Sequence, residues 1–241
     1  RLEAASDGTS KRIRCCNPPN PTGRVFDDAE IAAVADVAQR NNLLVITDEI
    51  WGDLTHQPGF QPLGATDERF AGRLITLGSA SKTFNLAGLR TAVAHIDHAP
   101  LTATLATMPG HLQGSPSTLG ITGTIAAWTA SDDWLREARR TIEVRRDQLA
   151  NRLATDLPDV GFQLPQATYL GWLDFSAYGI GDDPSEWLLK YARVALSSGA
   201  KFGTGGRGHA RINLATSSEI PDRLIDRIAI TLTKHLSLIH I

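Results

Sequence analysis

Cysteine is scarce in this sequence: only Cys15 and Cys16 occur, and they are adjacent. Adjacent cysteines suit neither a framework of structural disulfides nor the spaced ligand set of a zinc site. The seven histidines are scattered, and His95 and His98, which flank Asp97, lack further ligands nearby. We therefore predict no metal site, and the low cysteine content favours a reducing, cytoplasmic location.

Net charge is also small, at a formal value of -2, which gives no electrostatic case for nucleic acid or an anionic membrane as a partner. The segment 99–131 has no acidic or basic residue at all. Its prolines and glycines exclude a membrane-spanning helix; they are Pro100, Pro109, Gly110, Gly114 and Pro116.

What the chain does contain is typical of a globular α/β protein. Its 241 residues, 42% of them hydrophobic, can form one large domain or two of ordinary size. The chain begins with Arg1 rather than methionine and shows no signal peptide. We therefore expect it to begin inside a longer product or after processing.

The order of elements in the first part of the chain predicts parallel strands. A short strand at 12–16 precedes a turn with three prolines and a helix begun by Asp27, with Glu30 completing a capping box. Apolar runs at 43–47 and 74–77 predict two buried strands. Strand, helix, strand in this order is a βαβ unit, and 91–96 is a further candidate strand.

Polar residues follow the three predicted strands. Asn20, Asp48 and Ser79 with Lys82 all lie just beyond carboxyl ends, where open parallel sheets bind their ligands. Lys82 is unusual because an ammonium directly after an apolar strand loses hydration, which makes sense if the amine reacts with a carbonyl cofactor. From this stretch alone, a surface loop with a solvated lysine is the alternative interpretation.

The stretch from Ser79 to Arg90 resembles the lysine motif of the class I/II aminotransferase superfamily, the pyridoxal-phosphate (PLP) enzymes of fold type I. That pattern is a small residue, any residue, Ser or Thr, then Lys, with a Gly shortly before an Arg eight positions on. Every position matches, although Thr91 stands where an aliphatic residue is preferred. The resemblance implies an α/β fold with a parallel-rich sheet and flanking helices, plus a small α+β domain.

The resemblance also implies roles for particular residues. Lys82 would be the catalytic lysine that carries the cofactor, and Asp48 would keep the pyridine nitrogen protonated, as an electron sink requires. Asn20 would bond the ring oxygen, whereas Asn-Pro alone could simply make a turn. The phosphate would be held by Ser79, Ser81 and Arg90, and the substrate's α-carboxylate by Arg211, since guanidinium groups grip such oxygens in pairs.

One departure from many aminotransferases separates the branches of the superfamily. Trp51 stands three residues after Asp48, where a tyrosine is usual, and an indole has only an N–H to donate. Together with residues 17–24, 81–89 and 167–174, this is most similar to the cystathionine β-lyase (C–S β-lyase) branch. The resemblance implies PLP-dependent release of thiol, pyruvate and ammonia from cystathionine or a related cysteine S-conjugate.

Two other functions stay open at this point. An aminotransferase would share every cofactor residue, and a non-catalytic PLP-binding domain fused to a DNA-binding segment would differ only upstream of Arg1. The family is dimeric, so the resemblance implies a homodimer for the intact protein. It also implies a small-molecule amino-acid substrate.

The resemblance further implies a domain organisation. We expect residues 1–98 to be the later part of the PLP-binding large domain, 99–157 a connecting segment with a long interdomain helix, and 158–241 the small domain. In the small domain we expect strands at 168–175, 194–196 and 211–215, and helices at 184–192 and 220–235. Because the family has a long portion before the Asn-Pro-Thr-Gly turn, we expect this chain alone to bind PLP weakly or not at all.

Overall fold

The computed structural model describes residues 3, 8–56 and 60–239. These residues form two compact units. The first unit comprises the described residues within Arg1–Pro19 and Arg24–Arg136, and the second those within Asn20–Gly23 and Glu137–Ile241. The segment Asn20–Gly23 therefore belongs with the second unit, although the chain on both sides of it belongs to the first.

A four-stranded sheet in the order β1-β2-β3-β4 forms the centre of the first unit. The first three strands are parallel and β4 is antiparallel to β3. This confirms the parallel-rich α/β fold expected from the apolar runs, with each strand shifted by at most two residues at either end. The strands are β1 (Arg12–Cys16), β2 (Leu44–Asp48), β3 (Leu74–Gly78) and β4 (Val93–Asp97).

Helix α1 (Asp28–Arg40) connects β1 to β2 and covers the sheet. Its apolar residues recur at helical spacing, so that Ile31, Val34 and Ala38 lie on one buried face. That face packs in one cluster with side chains of the strands, including Val45 and Leu74, which are both buried. The helix therefore packs against the same strands that carry polar residues at their carboxyl ends, and pairing between those strands sets their register.

The first turn of α1 has the predicted capping box. The Asp27 carboxylate accepts a hydrogen bond from the Glu30 N–H at 2.8 Å, and the Glu30 carboxylate accepts one from the Asp27 N–H at 3.1 Å. Glu30 also forms an ion pair with Arg24 at 2.5 Å. Two amide groups at the start of the helix are thus satisfied by side chains.

We expect Asp27→Ala to lower the free energy of unfolding by about 1 kcal/mol, because it removes the acceptor of the Glu30 N–H. Urea titration of the full-length protein measures this. Asp28→Ala is the matched control, since Asp28 lies one residue further on, inside the helix, and a smaller loss is expected there. Equal losses in the two variants would contradict the capping role.

The uncharged segment after β4 is mostly helical. None of the residues of the first helix there, Ala99–Thr107, is buried, and apolar side chains such as Leu119 and Ile125 are more than half exposed. Within the described ranges, no helix combines the length and the hydropathy needed to cross a bilayer. The remaining helices of the first unit are α2 (Leu63–Thr66), α3 (Ala80–Thr83), α4 (Ala99–Thr107), α5 (Gly110–Gln113) and α6 (Thr118–Ala130), with 3₁₀ turns at Gly52–Leu54, Glu68–Phe70 and Ala87–Leu89.

The second unit is built on a four-stranded antiparallel sheet in the order β5-β6-β8-β7. Its core is one apolar cluster that joins the long helix, the sheet and the last helix through side chains such as Leu149, Leu173 and Ile228. The strands are β5 (Gly161–Phe162), β6 (Leu170–Asp174), β7 (Ser197–Ser198) and β8 (His209–Asn213). The helices are α7 (Asp132–Asp156), whose first turns lie in the first unit, α8 (Pro184–Trp187), extended by a π-helical turn at Leu188–Ala192, and α9 (Glu219–Ile239), with 3₁₀ turns at Ser176–Tyr178, Gly199–Phe202 and Thr204–Gly206.

The strand predicted at 194–196 is wrong. Val194 is buried, but its N–H donates to the Leu188 carbonyl, which closes the preceding helical turn. Pairing with β8 begins only at Ser197. The apolar residues at 194–196 reflect burial of Val194 and do not indicate pairing with a neighbouring strand. Similarly, β6 begins at Leu170 rather than at Thr168, whose positive φ of 73° takes it out of the extended conformation.

Candidate active site

Asp48 is the last residue of β2, where its Cα pairs with Leu77 of β3. The next residue, Glu49, donates its N–H to the Leu77 carbonyl at 2.9 Å. The two strands therefore end side by side, and the segments that follow them start from adjacent points. The Asp48 carboxylate is half-buried and accepts a hydrogen bond from the Ile50 N–H at 3.2 Å.

Lys82 lies on α3, the single helical turn that follows β3. Its Nζ is 5.8 Å from the centroid of the Trp51 ring, within the range of a cation–π contact. Trp51 is only 4% exposed, so its indole is held in place by packing and covers one side of the amine. Since Trp51 follows Asp48 by three residues, this contact brings the end of β2 and the lysine segment together.

Ser79 caps α3, because its Oγ accepts a hydrogen bond from the Ser81 N–H at 3.1 Å. The same Oγ lies 2.7 Å from the Thr91 carbonyl and 2.8 Å from the Ser81 Oγ. A hydroxyl has one proton to donate, and Ser79 has the Thr91 carbonyl as its acceptor. To donate to a phosphate, the Ser79 hydroxyl would therefore have to turn its proton away from the Thr91 carbonyl.

Arg90 ends the 3₁₀ turn after the lysine helix and has a positive φ of 51°. Its side chain is exposed, and among the described residues no acceptor is bonded to its guanidinium. A cation with its donors available suits an anionic ligand such as a phosphate. The placement is compatible with the predicted role of Arg90, which stays a prediction.

Glu49 is a buried carboxyl group to which no role was assigned from the sequence. Its Oε1 accepts a hydrogen bond from the Leu63 N–H at 3.0 Å, across 14 residues of chain. Burial raises the pKa of Glu49, and the hydrogen bond from Leu63 opposes this. The contact ties the end of β2 to the start of α2 and so holds the segment that contains Trp51.

We expect Glu49→Gln to gain stability relative to the wild type as the pH rises. In the folded protein the pKa of Glu49 is above the ordinary value of 4.5. The contribution of this carboxyl group to the free energy of unfolding is therefore complete below pH 4.5 and is lost as the pH rises through the folded-state pKa. Glutamine keeps an oxygen for the Leu63 N–H without a charge. Urea titrations of both full-length proteins from about pH 5 to about pH 8 measure the difference; a difference that stays constant with pH would contradict this, and the exposed Glu68→Gln is the control.

Asn20 and Arg211 are in direct contact in the second unit. The Arg211 Nη1 donates to the Asn20 Oδ1 at 2.8 Å, and its Nη2 donates to the Ser197 Oγ at 3.2 Å. The turn that carries Asn20 is held in the same unit, because the Gly23 carbonyl accepts hydrogen bonds from the N–H groups of Gln166 and Ala167 at 2.9 and 2.8 Å. The placement of Asn20 beside Asp48 and Lys82 stays a prediction.

Contacts of Lys82, Ser79 and Arg211 with residues outside the predicted set were not foreseen from the sequence. The departure at Trp51 was visible, but its contact with Lys82 was not, since the two are 31 positions apart in the numbering. Nothing in the residue pattern indicated that the Thr91 carbonyl accepts from Ser79 or that Ser197 accepts from Arg211, because both contacts depend on strand pairing.

The residues of the first unit fit the phosphorylated aldehyde that the resemblance implies. An amine against an indole wall, a half-buried carboxylate at the adjacent strand end, and an arginine with available donors are the groups that such a ligand needs. By contrast, the ranges 8–56 and 60–239 contain no group of three His, Cys, Asp or Glu side chains arranged to hold a metal ion.

Comparison with known proteins gives the same picture for most of the chain. The pattern of the family described as "Aminotransferase class I and II" matches residues 1–228. A relative from Mycobacterium tuberculosis is 37% identical over 249 residues, which cover 93% of this chain and 60% of the relative. "Cystathionine beta-lyase PatB" of Bacillus subtilis is 33% identical over 215 residues, which cover 88% of this chain and 56% of PatB. The chain thus spans about 60% of the length of the curated relatives it matches.

Solved structures resemble this fold closely. The PLP-bound C-S lyase from Staphylococcus hominis matches with a TM-score of 0.87 and 30% identity, over 94% of this chain and 59% of the other. Cystalysin from Treponema denticola, which contains a pyridoxal 5'-phosphate cofactor, matches with a TM-score of 0.86 and 28% identity, over 97% of this chain and 60% of the other.

Proposed function

This chain belongs to the class I and II aminotransferase family, and from that membership we propose that the whole protein is a PLP-dependent carbon–sulfur β-lyase. Its substrate is cystathionine or a related cysteine S-conjugate. Support comes from the relatives and solved structures named as lyases of this kind. The observation that carries the proposal is the Lys82 amine held against the buried Trp51 ring, three residues after Asp48.

Five residues are proposed to hold the cofactor besides Lys82. The Asp48 carboxylate keeps a proton on the pyridine nitrogen, and Asn20 donates from its side-chain amide to the ring oxygen. When bound, PLP supplies an electron sink for the bond that breaks at the substrate's α-carbon. The phosphate is proposed to lie against Ser79, Ser81 and Arg90.

Lys82 and Arg211 are proposed to act on the substrate itself. Arg211 binds the α-carboxylate through N–H groups that Asn20 and Ser197 leave available. The Lys82 amine takes the proton from the α-carbon, a general-base role worth about a hundred- to ten-thousand-fold in rate. The buried Trp51 ring covers one side of the amine and so limits the directions from which water can reach it.

The proposal extends to assembly and organisation. We infer a homodimer, for which the exposed apolar side chains of α6 offer surface, and a cytoplasmic location. We also infer that residues 1–98 belong to the PLP-binding large domain and that 158–241 form the small domain. Residues 99–157 are then the connecting segment with the long interdomain helix.

Product analysis of the full-length protein tests the reaction type. Incubated with cystathionine and PLP, without any 2-oxo acid, it should release pyruvate and thiol steadily. Turnover that requires a 2-oxo acid acceptor would identify an aminotransferase instead and would overturn the lyase proposal. Without any reaction in either assay, the enzyme proposal itself would fail.

A further inference from the structure

Strand register places Arg211 between two specific neighbours. In the sheet of the second unit, Arg211 on β8 is directly opposite Trp172 on β6 and directly opposite Ser197 on β7. Residues directly opposite in antiparallel strands project to the same face and contact each other. The three side chains therefore form a row across the sheet with the guanidinium in the middle.

Phe202 lies over this row. The Arg211 guanidinium carbon is 5.1 Å from the centroid of the Phe202 ring, within cation–π range. The Phe202 ring in turn meets Trp172 edge to face at 5.5 Å, and Trp172 stacks on His209 at 5.0 Å. The phenyl ring is thus supported from below and cannot drift away from the guanidinium without losing the aromatic contact.

The contacts leave Arg211 able to bind a ligand. A guanidinium has five N–H groups, and the contacts to Asn20 and Ser197 use one on each terminal nitrogen. The other N–H groups are available for a bidentate grip on a carboxylate. Beside them is a cavity of about 470 Å³, whose walls include Ser197, Lys201, Phe202 and Arg211.

We propose that Phe202 and Ser197 are positioning residues for Arg211, which fix its guanidinium in the plane that receives the substrate's carboxylate. The inference rests on the proposed function, because it assigns Arg211 the α-carboxylate. The ring restrains the guanidinium from its face and the serine hydroxyl from its edge. Together they remove rotamer freedom that the long side chain would otherwise lose on binding.

The effect should be on binding and not on the chemical step. Because carboxylate recognition is shared by the bound substrate and the transition state, loosening Arg211 should raise KM and leave kcat nearly unchanged. We expect Phe202→Leu to raise KM by about three- to ten-fold and Ser197→Ala to raise it similarly. Phe202→Tyr, which keeps the ring, should restore the wild-type KM.

Comparing a substrate that has the carboxylate with one that has an amide in its place distinguishes the positioning role from a general structural effect. Full-length wild type and variants are compared with S-ethyl-L-cysteine and with its carboxamide, by release of ethanethiol, the product that both compounds share, and by isothermal titration of the unreacted ligand. We expect Phe202→Leu to weaken only the carboxylate. Tyr191→Leu is the matched control, since the Tyr191 ring lies under another cation, Lys190, at 4.9 Å.

Replacing Phe202 should not unfold the protein, because its ring is 38% exposed. Equal losses for the acid and the amide, or no change for the acid, would overturn the positioning role. If the wild type cleaves neither compound, the lyase proposal fails, and the dissociation constants from titration still decide the role of Phe202. A Phe202→Tyr variant as weak as Phe202→Leu would also overturn it.

Discussion

Replacing Lys82 by alanine in the full-length protein is expected to lower kcat for C–S cleavage by about ten-thousand-fold or more. The variant loses the base that takes the α-proton, which alone is worth about a hundred- to ten-thousand-fold, and it also loses the amine that carries the cofactor. Pyruvate release measures the loss. A second readout is covalent: borohydride reduction in the presence of PLP should add the cofactor's mass to the peptide with Lys82 and to no peptide of the variant.

Lys190→Ala is the matched control for this experiment. Lys190, like Lys82, lies over an aromatic ring, with its Nζ 4.9 Å from the Tyr191 centroid. We expect it to keep wild-type activity and wild-type labelling. Residual activity of Lys82→Ala within about tenfold of the wild type would rule out the base role, and labelling at a different lysine would move the site elsewhere.

Replacing Arg211 by methionine is expected to lower kcat/KM for the carboxylate substrate by about a hundred- to ten-thousand-fold. Two hydrogen bonds to a charged group are lost, each worth about 1.5–3 kcal/mol, while methionine keeps much of the apolar stem. The carboxamide of the same substrate, which lacks the charge, should lose far less. Steady-state kinetics on both compounds measures the difference.

The loss should be specific to this arginine. Arg223→Met changes an exposed arginine of the same unit and should leave kcat/KM within about twofold. An Arg211→Met variant that loses the acid and the amide equally would show that Arg211 supports the fold instead of binding the carboxylate.

Local signals in the sequence predicted much of the first unit. The apolar runs indicated β2 and β3 because a strand covered on both faces must be apolar throughout. Asp27 and Glu30 marked the start of α1 because their capping contacts span only three residues. Interactions between near neighbours in the chain leave a pattern that can be read without the fold.

Contacts between distant residues could not be predicted in this way. The bond from Arg211 to Asn20 spans 191 positions, and the pairing that puts Ser197 beside Arg211 depends on where a two-residue strand begins. The direction of β4 was equally hidden, because its five residues mix apolar Val93 and Ile96 with polar His95 and Asp97 and show neither a continuous apolar run nor a clean alternation. The roles of the site residues came from the family resemblance, and their geometry came only from the folded chain.

The segment Asn20–Gly23 has a consequence for dissecting the protein. Because these four residues belong to the second unit but are linked through both ends to the first, no single cut in the polypeptide can release an intact second unit. An excised fragment that starts at Glu137 would lack the Gly23 carbonyl that accepts from Gln166 and Ala167, and the amide oxygen that holds Arg211. Domain excision would therefore need the four-residue loop grafted back, for instance as a circular permutation.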